Sequence, residues 1–388
     1  MIYLDNAATT RMREEVLEAM LPYMTEHYGN ASSLYKMGRE AKAAINRARE
    51  TVAKVLGAEA NRIFFTGGGS ESDNWAIKGI AYANRERGKH IITSKIEHHA
   101  VLHSCETLER DGFEVTYLPV TDEGLVTVES LKKVMRDDTI LVTIAHANNE
   151  IGTIQPIAEL AAVAREGGAY FFTDAVQTVG HVPTDVGELG VDILALSAHK
   201  FNGPKGVGAL YVRKGVRLGG YLDGGGQEGN MRGGTENVAG IVGLARALEL
   251  ANEEMADEMD RLSNLRDRLI EMVLEAIPYS KLNGASGDGR LPNNAHFVFE
   301  CIEGESMLLK LDMAGIAASS GSACTSSSLE VSHVLSAIGL PHEIAHGSLR
   351  LTLGRDTIAG DLGIVVDKLV EIVEALREMS PVKPVMLK

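Results

Sequence analysis

The sequence has little cysteine, no long hydrophobic run and fewer basic than acidic residues. Its 388 residues include three cysteines, Cys105, Cys301 and Cys324, and no Cys-x-x-Cys pair. Such a set argues against a disulfide framework, a zinc site of four cysteines and an iron–sulfur cluster site. No apolar stretch reaches membrane-spanning length, and the N-terminus lacks a basic start and a hydrophobic signal region. These absences predict a cytoplasmic protein without a membrane segment.

The charge balance is acidic and narrows the classes of partner. Lys and Arg number 38 against 53 Asp and Glu, which gives a net charge of −15. That charge argues against direct binding to nucleic acid or to an anionic membrane. It does not exclude an acidic partner protein that docks on a local basic patch of this chain. The length favours two domains, and the 45% hydrophobic composition is typical of a globular protein.

The first part of the chain has the pattern of an α/β domain. Short apolar runs rich in β-branched residues alternate with helical patterns, which predicts a mainly parallel seven-stranded sheet. The predicted strands are 62–66, 90–94, 113–118, 139–145, 169–173, 192–197 and 207–212.

The second part of the chain, from residue 239 onward, has a different order of predicted helices and strands. A long helical pattern at 239–277 joins two domains, and the later residues predict a smaller α+β domain completed by the first residues of the chain. We therefore expect a large domain at 15–255 and a small one formed by 1–14 and 256–388. The small domain's predicted elements are a strand near 294–299, helices at 305–313 and near 329–338, a strand near 348–353 and a final helix.

Two polar residues come after predicted strands, where ligands collect in open α/β sheets. In "DILALSAHKFNGPKG", Lys200 comes just after a strand, beside Ser197 and His199. A partly desolvated lysine can lose its proton and form a Schiff base, whereas an isolated lysine is more often solvated. Asp174 ends another apolar strand, where a carboxylate is costly without a cation. The pyridinium nitrogen of pyridoxal phosphate would supply that cation, and Gln177 could donate to the phenolic oxygen of the same ring.

A glycine-rich turn adds a third component. In "FFTGGGSES", glycines 67 to 69 precede Ser70 at a predicted helix start, where backbone N–H groups favour phosphate. Alone, the turn only approximates a dinucleotide fingerprint and could be a tight turn.

His98, after a further strand, could stack on a cofactor ring and move a proton, or be structural. Asn149 and Glu150 make the same edge more polar.

Cys324 lies in an unusual setting. The stretch "ASSGSACTSSS", residues 318–328, predicts a flexible polar loop around this thiol. Cys105 falls on a helical pattern and Cys301 comes after a strand pattern, so both are predicted to be packing residues or merely tolerated, without a reactive role. A thiol on a flexible loop could enter a pocket and then carry cargo out of it. The alternative is a tolerated free thiol.

The chain resembles the group I cysteine desulfurases, which are fold-type I pyridoxal-phosphate enzymes of the class-V aminotransferase superfamily. The similarity runs from "YLDNAATT" through "EHHAVL", "HANNEIGTIQPI", "TDAVQTVG" and "SAHKFNGPKGVGALYVR" to "SSGSACTSSSLEVSHVL" and "AHGSLRLTLGR". The lysine motif and the longer cysteine loop are the most specific parts.

The resemblance implies a role for each matching residue. Lys200 would carry pyridoxal 5'-phosphate as a Schiff base, and Cys324 would accept sulfur. His98 would stack on the ring and assist proton transfer. Residues implied in cofactor binding are Gly69, Ser70, His98, Asn149, Asp174, Gln177, Ser197, His199, Lys200 and Thr235. Asn149 and Arg350 would bind the substrate carboxylate.

The implied activity converts L-cysteine to L-alanine and passes sulfur, as a persulfide of Cys324, to acceptor proteins for iron–sulfur cluster assembly or thiolation. The implied state is a homodimer in which Thr235 reaches the other subunit's phosphate. A selenocysteine lyase, an aminotransferase and a non-catalytic scaffold subunit are the alternatives. The acceptor and the base that deprotonates Cys324 stay open. The sequence departs from the family pattern at Ala31, Tyr35, Gly67, Ser70, Gly229 and Gly233.

Overall fold

The structure, a computed structural model, describes residues 1–320 and 331–381. In these two stretches, no helix combines the length and the apolar character needed to cross a bilayer. The strands are β1 (Ile2–Tyr3), β2 (Ile63–Thr66), β3 (His90–Ser94), β4 (Glu114–Leu118), β5 (Thr139–Thr143), β6 (Tyr170–Asp174), β7 (Ile193–Ser197), β8 (Gly208–Val212), β9 (Ser280–Leu282), β10 (Asn294–Phe299), β11 (Ile316–Ala317) and β12 (Ser348–Thr352). The α-helices are α1 (Glu14–Thr25), α2 (Lys36–Val55), α3 (Gly69–Asn84), α4 (His99–Arg110), α5 (Val128–Val134), α6 (Ile157–Glu166), α7 (Val186–Leu189), α8 (Val238–Ala276), α9 (Gly304–Met313), α10 (His333–Ala337), α11 (His342–Ala345) and α12 (Ala359–Met379).

All seven strands predicted in the first part of the chain are present in one sheet. Its strand order is β2-β8-β7-β6-β5-β3-β4, and the neighbours from β7 to β4 are parallel. The exception is β8, which is antiparallel to both β7 and β2. The connection 198–207 is too short to hold a crossover helix, so β8 can only return antiparallel beside β7. The predicted mainly parallel α/β sheet is confirmed.

This topology gathers the carboxyl ends of several strands at one edge of the sheet. Because β8 is antiparallel to both of its neighbours, β2 runs in the same direction as β7. The carboxyl ends of β2, β3, β5, β6 and β7 therefore lie at the same edge. Side chains that come after these strands are brought together although they are far apart in sequence.

A second hydrophobic core surrounds the antiparallel sheet β12-β10-β9. Leu4 belongs to this core, and β1 pairs in parallel with β11, so the N-terminus joins the later part of the chain. Helix α8 serves both cores: Leu248 packs in the first, and Leu262 and Leu269 pack in the second. The predicted helix at 239–277 is confirmed. The helix predicted near 329–338 is observed as α10, and residues 321–330 lie outside the described residues.

Burial of His296 gives a prediction for pH dependence. His296 on β10 is fully buried, its Nδ1 accepts from Asn283 Nδ2 at 2.9 Å, and burial lowers its pKa to about 3. At pH values between the usual histidine pKa and about 3, His296 binds a proton in the unfolded chain but not in the folded chain. Lowering the pH from 7 to 4.5 should therefore cost roughly 2–3 kcal/mol of stability through this group.

Chemical unfolding monitored by the fluorescence of Trp75, the single tryptophan and fully buried, would measure this cost. The His296→Gln variant should lose less stability over the same pH interval than the unmodified protein, whatever its stability at pH 7. An identical loss in both proteins would contradict the assignment to His296.

Candidate active site

Three titratable residues predicted from the sequence meet at the carboxyl edge of the sheet. Asp174 is the last residue of β6, Lys200 ends the short 3-10 turn Ala198–Lys200 after β7, and His98 precedes α4. Burial raises the pKa of Asp174, while electrostatic interaction with His98 and Lys200 opposes that rise. The structure thus brings together a carboxyl group, an amine and an imidazole in a partly desolvated site.

The amine of Lys200 faces the beginning of the chain. Its Nζ donates to the carbonyl of Ala7 at 2.5 Å and to that of Ala8 at 2.9 Å. Gln177 Nε2 donates to the same Ala7 carbonyl at 3.1 Å. The N-terminal segment is therefore one wall of the site. Reasoning from strand ends missed these two carbonyls because backbone groups about 190 residues away in sequence leave no local signal.

His98 is held in a defined protonation state. It caps α4, its Nδ1 accepts from the Ala100 N–H at 3.1 Å, and burial lowers its pKa. At neutral pH the ring is neutral and carries its proton on Nε2, because Nδ1 is occupied as an acceptor. Nε2 can therefore give or receive a proton in a reaction.

Two further buried carboxyl groups, Asp73 on α3 and Glu97, lie close to Asp174. Burial raises the pKa of Asp73 well above its usual value and that of Glu97 to about 8, and the charge of Asp174 adds to both effects. Among the described residues, Asp73 Oδ1 has no hydrogen-bond partner. Of the three groups, only Asp174 has the amine of Lys200 among the neighbours that oppose the rise of its pKa, so the negative charge belongs on Asp174. Asp73 and Glu97 were not predicted as site residues: Asp73 lies on a helix, and the local sequence does not show that Glu97, which follows β3 beside His98, is buried.

The glycine-rich turn forms a cradle at the start of α3. Gly68, with a φ of +149°, precedes the helix and offers no side chain to cap it. A Cβ atom at Gly68 would meet only Ser197 Oγ, at 3.8 Å, which leaves open space between the turn and β7. A Cβ atom at Gly69 would lie 2.7 Å from Val176 Cγ2, so a larger residue would clash there. Uncapped N–H groups facing open space beside a hydroxyl suit an anion.

Other residues expected around this cradle have different surroundings. Ser70, in the first turn of α3, is exposed. His199 Nδ1 lies 3.1 Å from Thr9 Oγ1, and burial lowers the pKa of His199 to about 4, so it is neutral. Thr235 is exposed, three residues beyond Arg232, whose Nε is 2.8 Å from Glu71 Oε1 on α3. The loop that carries Thr235 is thus tied to the helix that begins at the cradle.

Arg350 and Asn149 are adjacent, as expected for a pair that binds one substrate group. Arg350, on β12, is 3% exposed, and its Nη1 donates to the Asn149 carbonyl at 2.9 Å. Its Nη2 pairs with Asp5 Oδ1 at 2.8 Å, which sequence reasoning did not foresee. Within the described residues, Arg350 Nε is buried without a hydrogen-bond partner. An anion is the natural partner for such a donor.

The structure describes two of the three cysteines, Cys105 and Cys301. Cys105 is buried on α4, and burial raises its pKa to about 12; Cys301 is half-buried. The prediction that Cys105 packs in the core is confirmed. Cys324 lies outside the described residues, so its predicted role stays a prediction.

Comparison with known proteins agrees with this geometry. A family model described as aminotransferase class-V matches residues 2–363. The chain belongs to the aminotransferase class-V family. Within this family it is 60% identical over 383 residues to a protein of Methanosarcina thermophila named cysteine desulfurase IscS, covering 99% of this chain and 94% of the relative. The predicted resemblance is therefore confirmed.

Solved structures are also similar to this chain. A NifS-like protein superposes with a TM-score of 0.91 at 40% identity, covering 97% of this chain and all (100%) of the other. A structure described as SspA in complex with cysteine has a TM-score of 0.80 at 38% identity, covering 92% of this chain and 100% of that one. The fold predicted from the sequence is that of the family.

The residues of this site fit the pyridoxal phosphate that the resemblance implies. Asp174 is a half-buried carboxylate suited to a pyridinium nitrogen, and the cradle at Gly68 has space for a phosphate beside Ser197. Lys200 Nζ lies at the same edge, where the Ala7 and Ala8 carbonyls orient the amine that a Schiff base requires. These groups suit the ring nitrogen, the phosphate and the aldehyde of the cofactor, respectively Asp174, the cradle at Gly68 and Lys200.

Proposed function

We propose that this protein is a cysteine desulfurase, which converts L-cysteine to L-alanine and passes the sulfur to Cys324 as a persulfide. The observation that carries the proposal is the meeting of Lys200, Asp174 and His98 at one edge of the sheet. The similarity to relatives named cysteine desulfurase supports the choice of reaction.

The cofactor-binding roles are those that the family resemblance implies, and the positions of Lys200, Asp174 and the cradle at Gly68 support them. Pyridoxal phosphate, when bound, supplies an electron sink for the bonds at the substrate's α carbon. The Asp174 carboxylate, flanked by His98 and Lys200, holds the negative charge that keeps the ring nitrogen protonated. The residues that hold the cofactor are Gly69, Ser70, His98, Asn149, Asp174, Gln177, Ser197, His199 and Lys200.

Lys200 and His98 move protons in this proposal. Lys200 Nζ takes the proton from the α carbon of the substrate, and its carbonyl partners in the N-terminal segment position the amine for that task. His98 Nε2 exchanges a proton with the substrate, since the neutral imidazole has Nδ1 occupied. General acid–base steps of this kind contribute about 10²–10⁴-fold each.

Substrate binding falls to Arg350 and Asn149. The α carboxylate of L-cysteine binds the buried Arg350 guanidinium, whose Nε is without a partner among the described residues. Because Asp5 and the Asn149 carbonyl hold the two Nη atoms, the guanidinium is fixed before the substrate arrives. A fixed donor loses little entropy on binding.

The sulfur step balances without an added oxidant. The Cys324 thiolate attacks the substrate's sulfur, an S–S bond forms, and the C–S bond breaks. The substrate carbon gains a proton and becomes the methyl group of alanine, so carbon is reduced while sulfur is oxidised to the persulfide level. Only a thiolate acts as the nucleophile.

The wider arrangement is part of the same proposal. The domains are 15–255 and 1–14 with 256–388, a division supported by the two cores that α8 connects. The protein works as a cytoplasmic homodimer in which Thr235 reaches the other subunit's phosphate. The persulfide sulfur goes to acceptor proteins for iron–sulfur cluster assembly or thiolation.

The test is a product assay with purified protein carrying pyridoxal phosphate. With L-cysteine and a reductant, we expect alanine and sulfide in equal amounts. Faster turnover of L-selenocysteine would favour a selenocysteine lyase, and amino transfer to a keto acid without sulfide would favour an aminotransferase. Failure to bind the cofactor would indicate a non-catalytic subunit. Each of these three results would overturn the proposal.

A further inference from the structure

The residues that flank the cysteine segment are attached to the substrate-binding pair. On the N-terminal side, Ser319 is 3% exposed and pairs with Arg350 through the backbone: Arg350 N donates to the Ser319 carbonyl at 2.6 Å, and Ser319 N donates back at 3.3 Å. The Ser320 carbonyl accepts from Ser348 Oγ at 3.2 Å on the same strand. The residue proposed to bind the substrate carboxylate thus also holds this flank.

On the C-terminal side, the attachment is made by Glu150. Ser332, buried, begins α10: its Oγ accepts from Val334 N at 3.1 Å and from Leu335 N at 3.4 Å. The same hydroxyl donates to Glu150 Oε2 at 2.6 Å. Glu150 is 5% exposed and lies in the loop after β5, next to Asn149. The described contacts therefore run from Ser319 through Arg350, Asn149 and Glu150 to Ser332.

Capping of α10 by Ser332 does not by itself explain why a carboxyl group, that of Glu150, is buried beside the Ser332 hydroxyl. Ser332 accepts the two N–H groups of α10 through its oxygen, and any acceptor or water could take its proton. Burying a carboxyl group for this purpose is costly. The loop around Glu150 is also fixed on its other side, since Asn294 Nδ2 donates to the Glu150 carbonyl at 3.0 Å and Arg290 Nη1 donates to the Ile151 carbonyl at 2.8 Å. Glu150 projects from a rigid loop to one hydroxyl.

We propose that Glu150 is a positioning residue for sulfur transfer: its contact with Ser332 holds the C-terminal flank of the Cys324 segment in register with Asn149 and Arg350. This inference rests on the proposed desulfurase function and names a residue that the function itself does not require. Both attachments fix described residues on either side of Cys324, and the length of chain between them limits where the thiol can reach. Loss of one attachment slows the transfer step, because small displacements of reacting groups cost up to about 10²-fold.

The test separates sulfur transfer from the steps before it. The holoenzyme is mixed with L-cysteine, and the cysteine-dependent absorbance change of the bound cofactor is compared with alanine formed in a single turnover. For Glu150→Ala, we expect the absorbance change to keep its rate and half-saturating concentration within about twofold, while alanine formation slows about 10- to 100-fold. Glu150→Gln retains an oxygen that accepts from Ser332, and it should restore alanine formation to within a few fold.

Ser332→Ala provides a second route to the same answer. It should slow alanine formation as much as Glu150→Ala does, and the double variant should be no slower, because both remove one contact. Thr127→Ala is the matched control: Thr127 Oγ1 caps α5 through Ser130 N at 3.1 Å, and α5 carries no residue of the site. It should lower the thermal midpoint like Ser332→Ala but leave alanine formation unchanged.

Several results would overturn the inference. These are an unchanged rate of alanine formation in Glu150→Ala, an equal slowing of the absorbance change and of alanine formation, and an additive double variant. If Glu150→Ala does not fold, Ser332→Ala against Thr127→Ala decides the question alone. Absence of alanine from the unmodified holoenzyme would instead mean that the proposed function fails.

Discussion

Replacing Lys200 with alanine is expected to lower kcat for alanine formation from L-cysteine about 10⁴-fold, the upper end of what one general acid–base group contributes. The amine lies at the carboxyl edge of the sheet with the Ala7 and Ala8 carbonyls as partners. No other lysine or arginine acts at this position in the proposal. The variant should still bind pyridoxal phosphate without a covalent bond, through Asp174 and the cradle at Gly68.

The matched control for this prediction is Lys205→Ala. Lys205 lies five positions further along the same segment and is exposed. Its replacement by alanine removes the same positive charge as the replacement of Lys200. Its kcat should stay within about twofold of the unmodified protein, as expected for an exposed residue away from the site. Comparable losses in Lys200→Ala and Lys205→Ala would show that charge, and not the amine of Lys200, matters.

Replacing Cys324 with alanine is expected to have the second large effect on alanine formation. We expect alanine formation to fall roughly 10³-fold or more, since removal of a nucleophile has cost up to about 10⁶-fold elsewhere. Cofactor binding and the cysteine-dependent absorbance change should persist, because Lys200, Asp174 and Arg350 are untouched. Alanine, sulfide and protein-bound persulfide would be measured together.

The other two cysteines give this prediction its controls. Burial raises the pKa of Cys105 to about 12, so that thiol is protonated at neutral pH and cannot replace Cys324 as nucleophile. Cys301 is half-buried and has no role in the proposed chemistry, so Cys301→Ala should leave alanine formation unchanged. If Cys324→Ala is as active as the unmodified protein, the thiol has no role and the proposed transfer step fails.

Much of the candidate site could be predicted because its residues come at or directly after the ends of strands. Asp174, Ser197 and Lys200 lie at the ends of apolar runs, and the run identifies the strand from local composition alone. The rule that ligands collect at the carboxyl ends of parallel strands then places them together. The direction of β8 could also have been predicted, since the connection 198–207 cannot hold a crossover helix.

Contacts made by backbone groups and by buried carboxyl groups could not be predicted in this way. Asp73 lies on a helix, and only the packing of α3 against the sheet shows that it is buried beside Asp174. The pairing of Asp5 with Arg350 joins residues 345 positions apart. Neither residue type nor spacing indicates such a pair.

By itself, the sequence determined the seven strands, the long helix α8, the family resemblance and the identity of the residues proposed for the chemistry. All of these rest on local periodicity and on motifs, which are properties of neighbouring residues. Only the tertiary structure decided which groups these residues meet: Lys200 with the Ala7 carbonyl, and Glu150 with Ser332. The physical reason is that burial, desolvation and hydrogen bonding at the site depend on segments that are far apart in the sequence and that only the fold brings together.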